Sequence, residues 1–121
     1  MLNKAGLTDD DSDAIVEKIN SNQVARIVLA GNGFGDAGAI KIAEALTNNR
    51  AVKYISLHNN KIGNAGAQAF AKMLRVNNTL TTLFLSANQF DAASESEIVK
   101  ANAERPTPMA QSLNGLVLNG C

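Results

Sequence analysis

The stretch VARIVLAGNGFGDAGAIKIAEAL, Val24 to Leu46, decides how this chain is read. A β-branched apolar run leads into Gly33-Phe34-Gly35-Asp36-Ala37-Gly38 and then into a segment with helical apolar spacing. Strand, glycine turn and helix, with G-x-G-x-x-G at the turn, form the local context of a dinucleotide-binding fingerprint. There the glycines let the backbone approach a pyrophosphate seated on the helix N-terminus. The match is decided by what the rest of the chain does with the same pattern.

The pattern returns. Val24, Ile27, Leu29 and Asn32 recur as Val52, Ile55, Leu57 and Asn60, and again as Leu80, Leu83, Leu85 and Asn88, a constant spacing of 28 residues. Beyond each Asn, Phe34, Ile62 and Phe90 align, as do Gly35, Gly63 and Asp91, and Gly38, Gly66 and Ser94. Ile42 with Phe70, Ala43 with Ala71 and Leu46 with Leu74 supply one apolar helix face. Each unit is therefore one strand, one turn and one helix. Gly33 is replaced by Lys61 and then Gln89, so the first glycine of the apparent fingerprint stands at a variable position. A dinucleotide site also needs an acid roughly 20 residues on to hold the ribose. The second strand ends in His58-Asn59-Asn60 and offers none. A nucleotide cofactor is not expected, and neither is a phosphate loop of the G-x-x-x-x-G-K kind.

The motif L-x-x-L-x-L-x-x-N, followed by a turn with G-x-x-G and an apolar helix face, resembles the leucine-rich repeat family, specifically its long helical class typified by ribonuclease inhibitor. The period lies within that family's range of roughly 20 to 29 residues. The resemblance covers Val24 to Asn88 and implies an α/β solenoid, a horseshoe segment of about three to four repeats. A parallel β-sheet would line its concave face and helices its convex face. The segment AFAKMLRVNNTLTTLFLSANQF, Ala69 to Phe90, is further similar to the repeats of tropomodulin-type actin-capping proteins, and related sequences occur in innate immune receptors and GTPase-activating proteins.

A chain of 121 residues is expected to be one domain that buries roughly two-thirds of its unfolded surface. We divide it into an N-terminal helical cap (1–23), repeats at 24–51, 52–79 and 80–112, and a terminal strand at 113–121. The cap opens with Asp9, Asp10, Asp11 and Asp13, where acids satisfy free N–H groups and oppose the positive end of a helix dipole. A calcium loop is the competing reading of Asp9, Asp11 and Asp13, but Ala14 and Asn20 stand where the loop's Gly and terminal Glu are required. At the other end, Pro106-Thr107-Pro108 stops a more polar helix, and Leu113, Leu116 and Leu118 spell a fourth strand with Cys121 in place of the Asn. Leu2 falls where a preceding strand would end, so both ends look cut within a unit. Either the array is a fragment, or the open edge of the final strand is covered by a partner, self-association through that C-terminal edge included.

Equal numbers of Lys plus Arg and of Asp plus Glu, 11 each, argue against nucleic acid and anionic membranes as partners. A single cysteine excludes an internal disulfide framework. The acidic N-terminus does not read as a secretory signal, and no apolar run approaches the ~20 residues of a membrane span, so a cytoplasmic protein is expected. Asn77-Asn78-Thr79 is formally a glycosylation sequon and is read as a helix-ending turn. His58 is the only histidine and Cys121 lies two strands away, near ~10 Å, so no nucleophilic dyad or metal set is expected.

Function is then expected on the concave sheet, as a protein–protein interaction module. Strand alternation turns Arg26, Val28 and Ala30, Tyr54, Ser56 and His58, and Thr82, Phe84 and Ser86 to that face, and the terminal strand would add Gly115, Val117 and Asn119. The face reads as neutral and partly apolar, with Tyr54 and Phe84 either anchoring a protein partner or packing across the strands with Val28. Asn32, Asn60 and Asn88 read as a structural ladder rather than a site. The alternatives are an actin-capping or GTPase-regulatory protein, as the finer likeness implies, and an inert structural piece of a longer array.

Overall fold

The computed structural model describes residues 6–111 and 117–119. A 3₁₀ turn at Asp9–Asp11 leads into α1 (Ser12–Asn20), and three strand–helix pairs follow. They are β1 (Arg26–Val28) with α2 (Asp36–Thr47), β2 (Tyr54–Ser56) with α3 (Asn64–Val76), and β3 (Thr82–Phe84) with α4 (Ala92–Ala103). Two short strands, β4 (Ala110–Gln111) and β5 (Val117–Asn119), close the described chain. Residue 26 pairs with 54 and 54 with 82 in parallel register, so the sheet repeats with the 28-residue period of the sequence. Each helix packs on the next, α1 on α2, α2 on α3 and α3 on α4.

The core is built from the repeated apolar positions. Ile27, Leu29, Ile55, Leu57, Leu83 and Leu85 from the strand segments, Phe34 and Ile62 from the turns, and Ile42, Leu46, Phe70 and Leu74 from the helices are fully buried in one cluster. No unit could bury this set alone, because each helix and each strand packs against its counterpart in the adjoining unit.

Two Asn ladders fix the spacing between units. On one side of the sheet, the Asn60 amide donates to Leu57 O and to Leu29 O of the preceding unit, and its oxygen accepts from Phe34 N. Asn88 repeats this arrangement with Leu85 O, Leu57 O and Ile62 N, and Asn32 does so with Leu29 O and Leu7 N. On the other side, Asn49 and Asn77 sit at the ends of α2 and α3. Asn77 donates to Leu46 O and Asn49 O, while its oxygen accepts from Thr79 N and Leu80 N to start the next strand. Asn77 is 3% exposed with its amide nitrogen doubly used, so the formal sequon is closed to modification in the fold.

The glycines of the opening stretch cradle an anion, and that anion is a side chain of the protein. Asp9 Oδ1 accepts from Gly35 N at 2.7 Å and Gly38 N at 3.1 Å, at the N-terminus of α2. One unit later Asp36 Oδ1 accepts from Gly63 N at 2.8 Å and Gly66 N at 2.9 Å, at the N-terminus of α3. A Cβ on Gly38 would lie 2.5 Å from Asp9 Oδ1, and one on Gly66 would lie 2.6 Å from Ile62 Cγ2 and 2.9 Å from Ala39 Cβ. The second glycine is thus demanded by close approach. Helices α2 and α3 are each capped by a carboxylate from the preceding unit, which joins the helix dipole to inter-unit cohesion. Asp9 therefore serves α2 rather than its own helix, where the sequence reading had placed it.

The third unit departs from this rule in a coordinated way. Asn64 stands where Asp36 stood and reaches only Asp91, accepting from its backbone N at 2.8 Å and donating to its Oδ2 at 3.2 Å. Asp91 replaces the glycine and caps its own helix, accepting from Ser94 N at 2.9 Å. Ser94 can carry a Cβ because the neighbour's carboxylate is gone.

The C-terminal end corrects the expectation of a fourth strand that continues the parallel repeat. The sheet order is β1-β2-β3-β5-β4, and β5 pairs antiparallel with both β3 and β4. Only five residues separate Gln111 from Val117, too short a link for the crossover that a parallel pair needs. The outer strand at this end is accordingly β4, and the Leu113, Gly115, Leu116 and Cys121 assignments lie outside the described residues. Arg105 takes the place that Asn77 holds one unit earlier, its Nε donating to Asn77 O and its Nη2 to Leu80 O. Burial without a carboxylate partner lowers its pKa.

Candidate functional site

The concave face is formed by the outward residues of β1, β2 and β3. In-register triples run Arg26, Tyr54, Thr82 and Val28, Ser56, Phe84 across the three strands. Small residues in these rows disappear beneath larger neighbours. Ser56, between Val28 and Phe84, is 3% exposed, and Thr82, beside Tyr54, is 8% exposed. Neither can offer much to a partner, although both stand at the expected positions.

What remains accessible is a short diagonal of large side chains. The Tyr54 and Phe84 rings meet edge to face, with centroids 5.4 Å apart and planes at 69°. The Arg26 guanidinium carbon lies 3.8 Å from the centroid of the Tyr54 ring. The two aromatics are half-buried and Arg26 is exposed. Packing and presentation coincide here: Phe84 steadies Tyr54, Tyr54 steadies Arg26, and the remaining faces are open to solvent. Farther along the strands, His58 Nδ1 and Ser86 Oγ are 2.7 Å apart, an exposed hydrogen bond that fixes the imidazole plane. Val28 and Ala30 are partly exposed and flank this surface.

Sequence reasoning overlooked Lys53. It lies at the head of β2, one residue before Tyr54, and is exposed. The strand segments, taken with Lys53, therefore carry positive charge. Positions 24–30, 52–58 and 80–86 hold Arg26, Lys53 and His58 and no acid. All 11 acids of the chain stand instead in the 3₁₀ turn, in the helices or at their caps. Among the described residues no cluster of His, Cys, Asp and Glu side chains is arranged to hold a metal ion. No described helix is long and apolar enough to cross a membrane. The groove between α2 and α3 is lined mainly by apolar atoms, with Ile40, Ala65, Ala69 and Val76 along it and Glu44 and Lys72 among its charged residues.

Comparison with known proteins agrees with this architecture. Residues 26–43 and 48–71 match the family model described as Leucine Rich repeat. No curated protein sequence matches the chain. Among solved structures it is similar to that of the leiomodin-1 actin-binding site 2, with 28% sequence identity and a TM-score of 0.70, over 82% of this chain and 59% of that one. The chain thus spans less than two thirds of the length of that structure. The fold is a leucine-rich-repeat solenoid, and the likeness to the family read from the sequence holds.

Proposed function

We propose that this chain is a non-catalytic protein-binding module that takes its partner on the concave face of β1, β2 and β3, and that the partner is actin. The observation that carries the site is the diagonal Arg26–Tyr54–Phe84. Large side chains are held there in fixed orientations on a rigid sheet, where ordering them on binding costs little further entropy. The choice of partner is supported by the similarity to the actin-binding site of leiomodin-1. The His58–Ser86 pair has no acid beside it among the positions of the described strands, which favours a binding role over a catalytic one.

Co-sedimentation with filamentous actin and size-exclusion binding to monomeric actin test the proposal. The native chain is compared with a Tyr54→Ala, Phe84→Ala double variant whose circular dichroism remains native. Binding by the native chain that falls by an order of magnitude or more in the variant supports the whole reading. Equal binding by both refutes the concave site and leaves the partner standing, whereas no binding by either refutes actin.

A further inference from the structure

We infer that the concave face recognises an acidic segment of its partner, with a carboxylate seated on Arg26 and Lys53 and an apolar side chain lying on Tyr54 and Phe84. This rests on the concave-face reading above and adds the chemistry of the occupant.

Charge segregation is the first ground. The chain carries 11 acids and 11 Lys plus Arg, yet the strand segments hold Arg26 and Lys53 without a single Asp or Glu. A neutral molecule has thus gathered its negative charge on turns, helices and helix caps and left its sheet positive. Parallel register sets residue 26 opposite 54, so Arg26 and Lys53 stand on adjoining strands at the same end of the sheet.

The state of the two cations is the second ground. Among the described residues, Lys41 pairs with Asp13, Arg75 with Glu97 and Glu104, and Arg105 with main-chain carbonyls. Arg26 and Lys53, like Lys18, Arg50, Lys61, Lys72 and Lys100, carry no ion pair, and what sets Arg26 apart from these is the ring beneath it. Arg26 is nonetheless oriented, because its guanidinium carbon lies over the Tyr54 ring, 3.8 Å from the centroid. The ring contact consumes none of the N–H groups that grip a carboxylate with two parallel hydrogen bonds, and the residue is exposed. An arginine held by a ring and unpaired at its edge is preorganised for an oxyanion. The adjoining aromatic pair suits an apolar side chain next to that oxyanion, so an acidic protein segment fits better than a phosphate backbone. Binding nucleic acid by charge needs several phosphates neutralised, and here only Arg26 and Lys53 are offered.

The test is fluorescence anisotropy with the labelled peptide Glu-Glu-Leu-Phe-Glu-Glu and its Gln-Gln-Leu-Phe-Gln-Gln and Lys-Lys-Leu-Phe-Lys-Lys counterparts, with a 15-mer of deoxythymidine as a fourth probe. The native chain should bind the Glu peptide about 10-fold more tightly than the Gln peptide, two solvent-exposed ion pairs being worth roughly that factor together. The preference should shrink as salt rises past 0.1 M, where the screening length is about 10 Å. Arg26→Gln, Lys53→Gln should abolish the preference, and Arg26→Glu, Lys53→Glu should transfer it to the Lys peptide. A Glu44→Gln, Lys72→Gln variant on the convex side should leave it intact.

Equal binding of the Glu and Gln peptides, no binding of any peptide, tighter binding of the oligonucleotide, or loss of the preference in the convex variant would each overturn the inference. Failure here is separable from failure of the concave site. If all three peptides bind equally and all are lost in Tyr54→Ala, Phe84→Ala, the site stands and the acidic preference falls.

Discussion

Replacing Asp36 by Ala tests the inter-unit cap directly. Asp36 Oδ1 accepts two backbone N–H groups, from Gly63 at 2.8 Å and Gly66 at 2.9 Å, and both belong to the first turn of α3. Hydrogen bonds to a charged group contribute about 1.5–3 kcal/mol each, and loss of an N-cap costs about 0.5–2 kcal/mol. Asp36 is half-buried, so water can enter the vacated site and recover part of this. The expected net loss is therefore about 2 kcal/mol. With a urea slope of roughly 1–1.5 kcal/mol/M for a chain of this size, the unfolding midpoint should fall by about 1.5 M. Asn64→Ala provides the internal control. Asn64 occupies the equivalent position one unit later but engages Asp91 alone, at exposed bonds of 2.8 and 3.2 Å. It should cost less than about 1 kcal/mol. Amide exchange monitored by NMR adds location, since the Gly63 and Gly66 N–H protons should lose protection first. A loss from Asp36→Ala no larger than that from Asn64→Ala, or unchanged exchange at the two glycines, would refute the trans-cap argument.

Three further outcomes follow from the same geometry. Gly31, Asn59 and Ala87 all adopt positive φ before the ladder Asn, at 73°, 59° and 58°, and alanine bears a steric cost there that asparagine tolerates. Ala87→Asn should therefore stabilise the chain by about 0.5–1 kcal/mol in thermal unfolding, and Ala87→Val should destabilise it. Asn60→Ala strands Leu29 O, Leu57 O and Phe34 N in a site 6% exposed and should cost about 3 kcal/mol, with Asn60→Asp at least as damaging because a carboxylate cannot donate. Asp91 is held below its ordinary value of 3.8 by its hydrogen bond from the Ser94 backbone, with a smaller contribution from the Asn64 side chain. Because its folded pKa is depressed, its contribution is complete above that value and is lost as acid protonates it. The helicity of α4 should accordingly decline below pH 3.8 in the native chain, and less steeply in Asp91→Asn.

Much of this architecture was legible because a stacked fold writes its contacts into the sequence at a fixed interval. The apolar positions at 27, 55 and 83 and the Asn at 32, 60 and 88 each recur at 28 residues and share a structural role. The first glycine motif was also legible, though its purpose was not. G-x-x-G at the start of a helix announces an anion on free N–H groups, and no local rule says whether that anion is a phosphate or the carboxylate of a residue 26 positions earlier. The second Asn ladder was missed because Asn49 and Asn77 look like ordinary helix endings. Their signal was the same 28-residue interval, which runs on to Arg105. The C-terminal strand was misjudged in direction, since L-x-x-L-x-L encodes alternating burial and says nothing of polarity along the sheet. Ser56 and Thr82 sit where alternation puts them but are roofed by neighbours, an effect of side-chain size on adjoining strands that one strand's pattern cannot contain.

The two ladders also explain why the concave face can serve as a rigid platform. One ladder grips the chain where it leaves the strands, the other where it enters them, and each Asn bonds both its own unit and the preceding one. Strand spacing and register are thereby set by buried amides and by the trans-acting carboxylates of Asp9 and Asp36, all outside the face itself. Positions 26, 54 and 84 carry none of that structural duty. Their side chains are free to be selected for what they present, and the fold supplies the fixed distances between them. A repeat in which the ladder residues hold the units together and the outward strand residues do not separates stability from recognition. Substitutions at Arg26, Lys53, Tyr54 and Phe84 should therefore change binding far more than unfolding, and substitutions at Asn60, Asn77 and Asp36 should do the reverse.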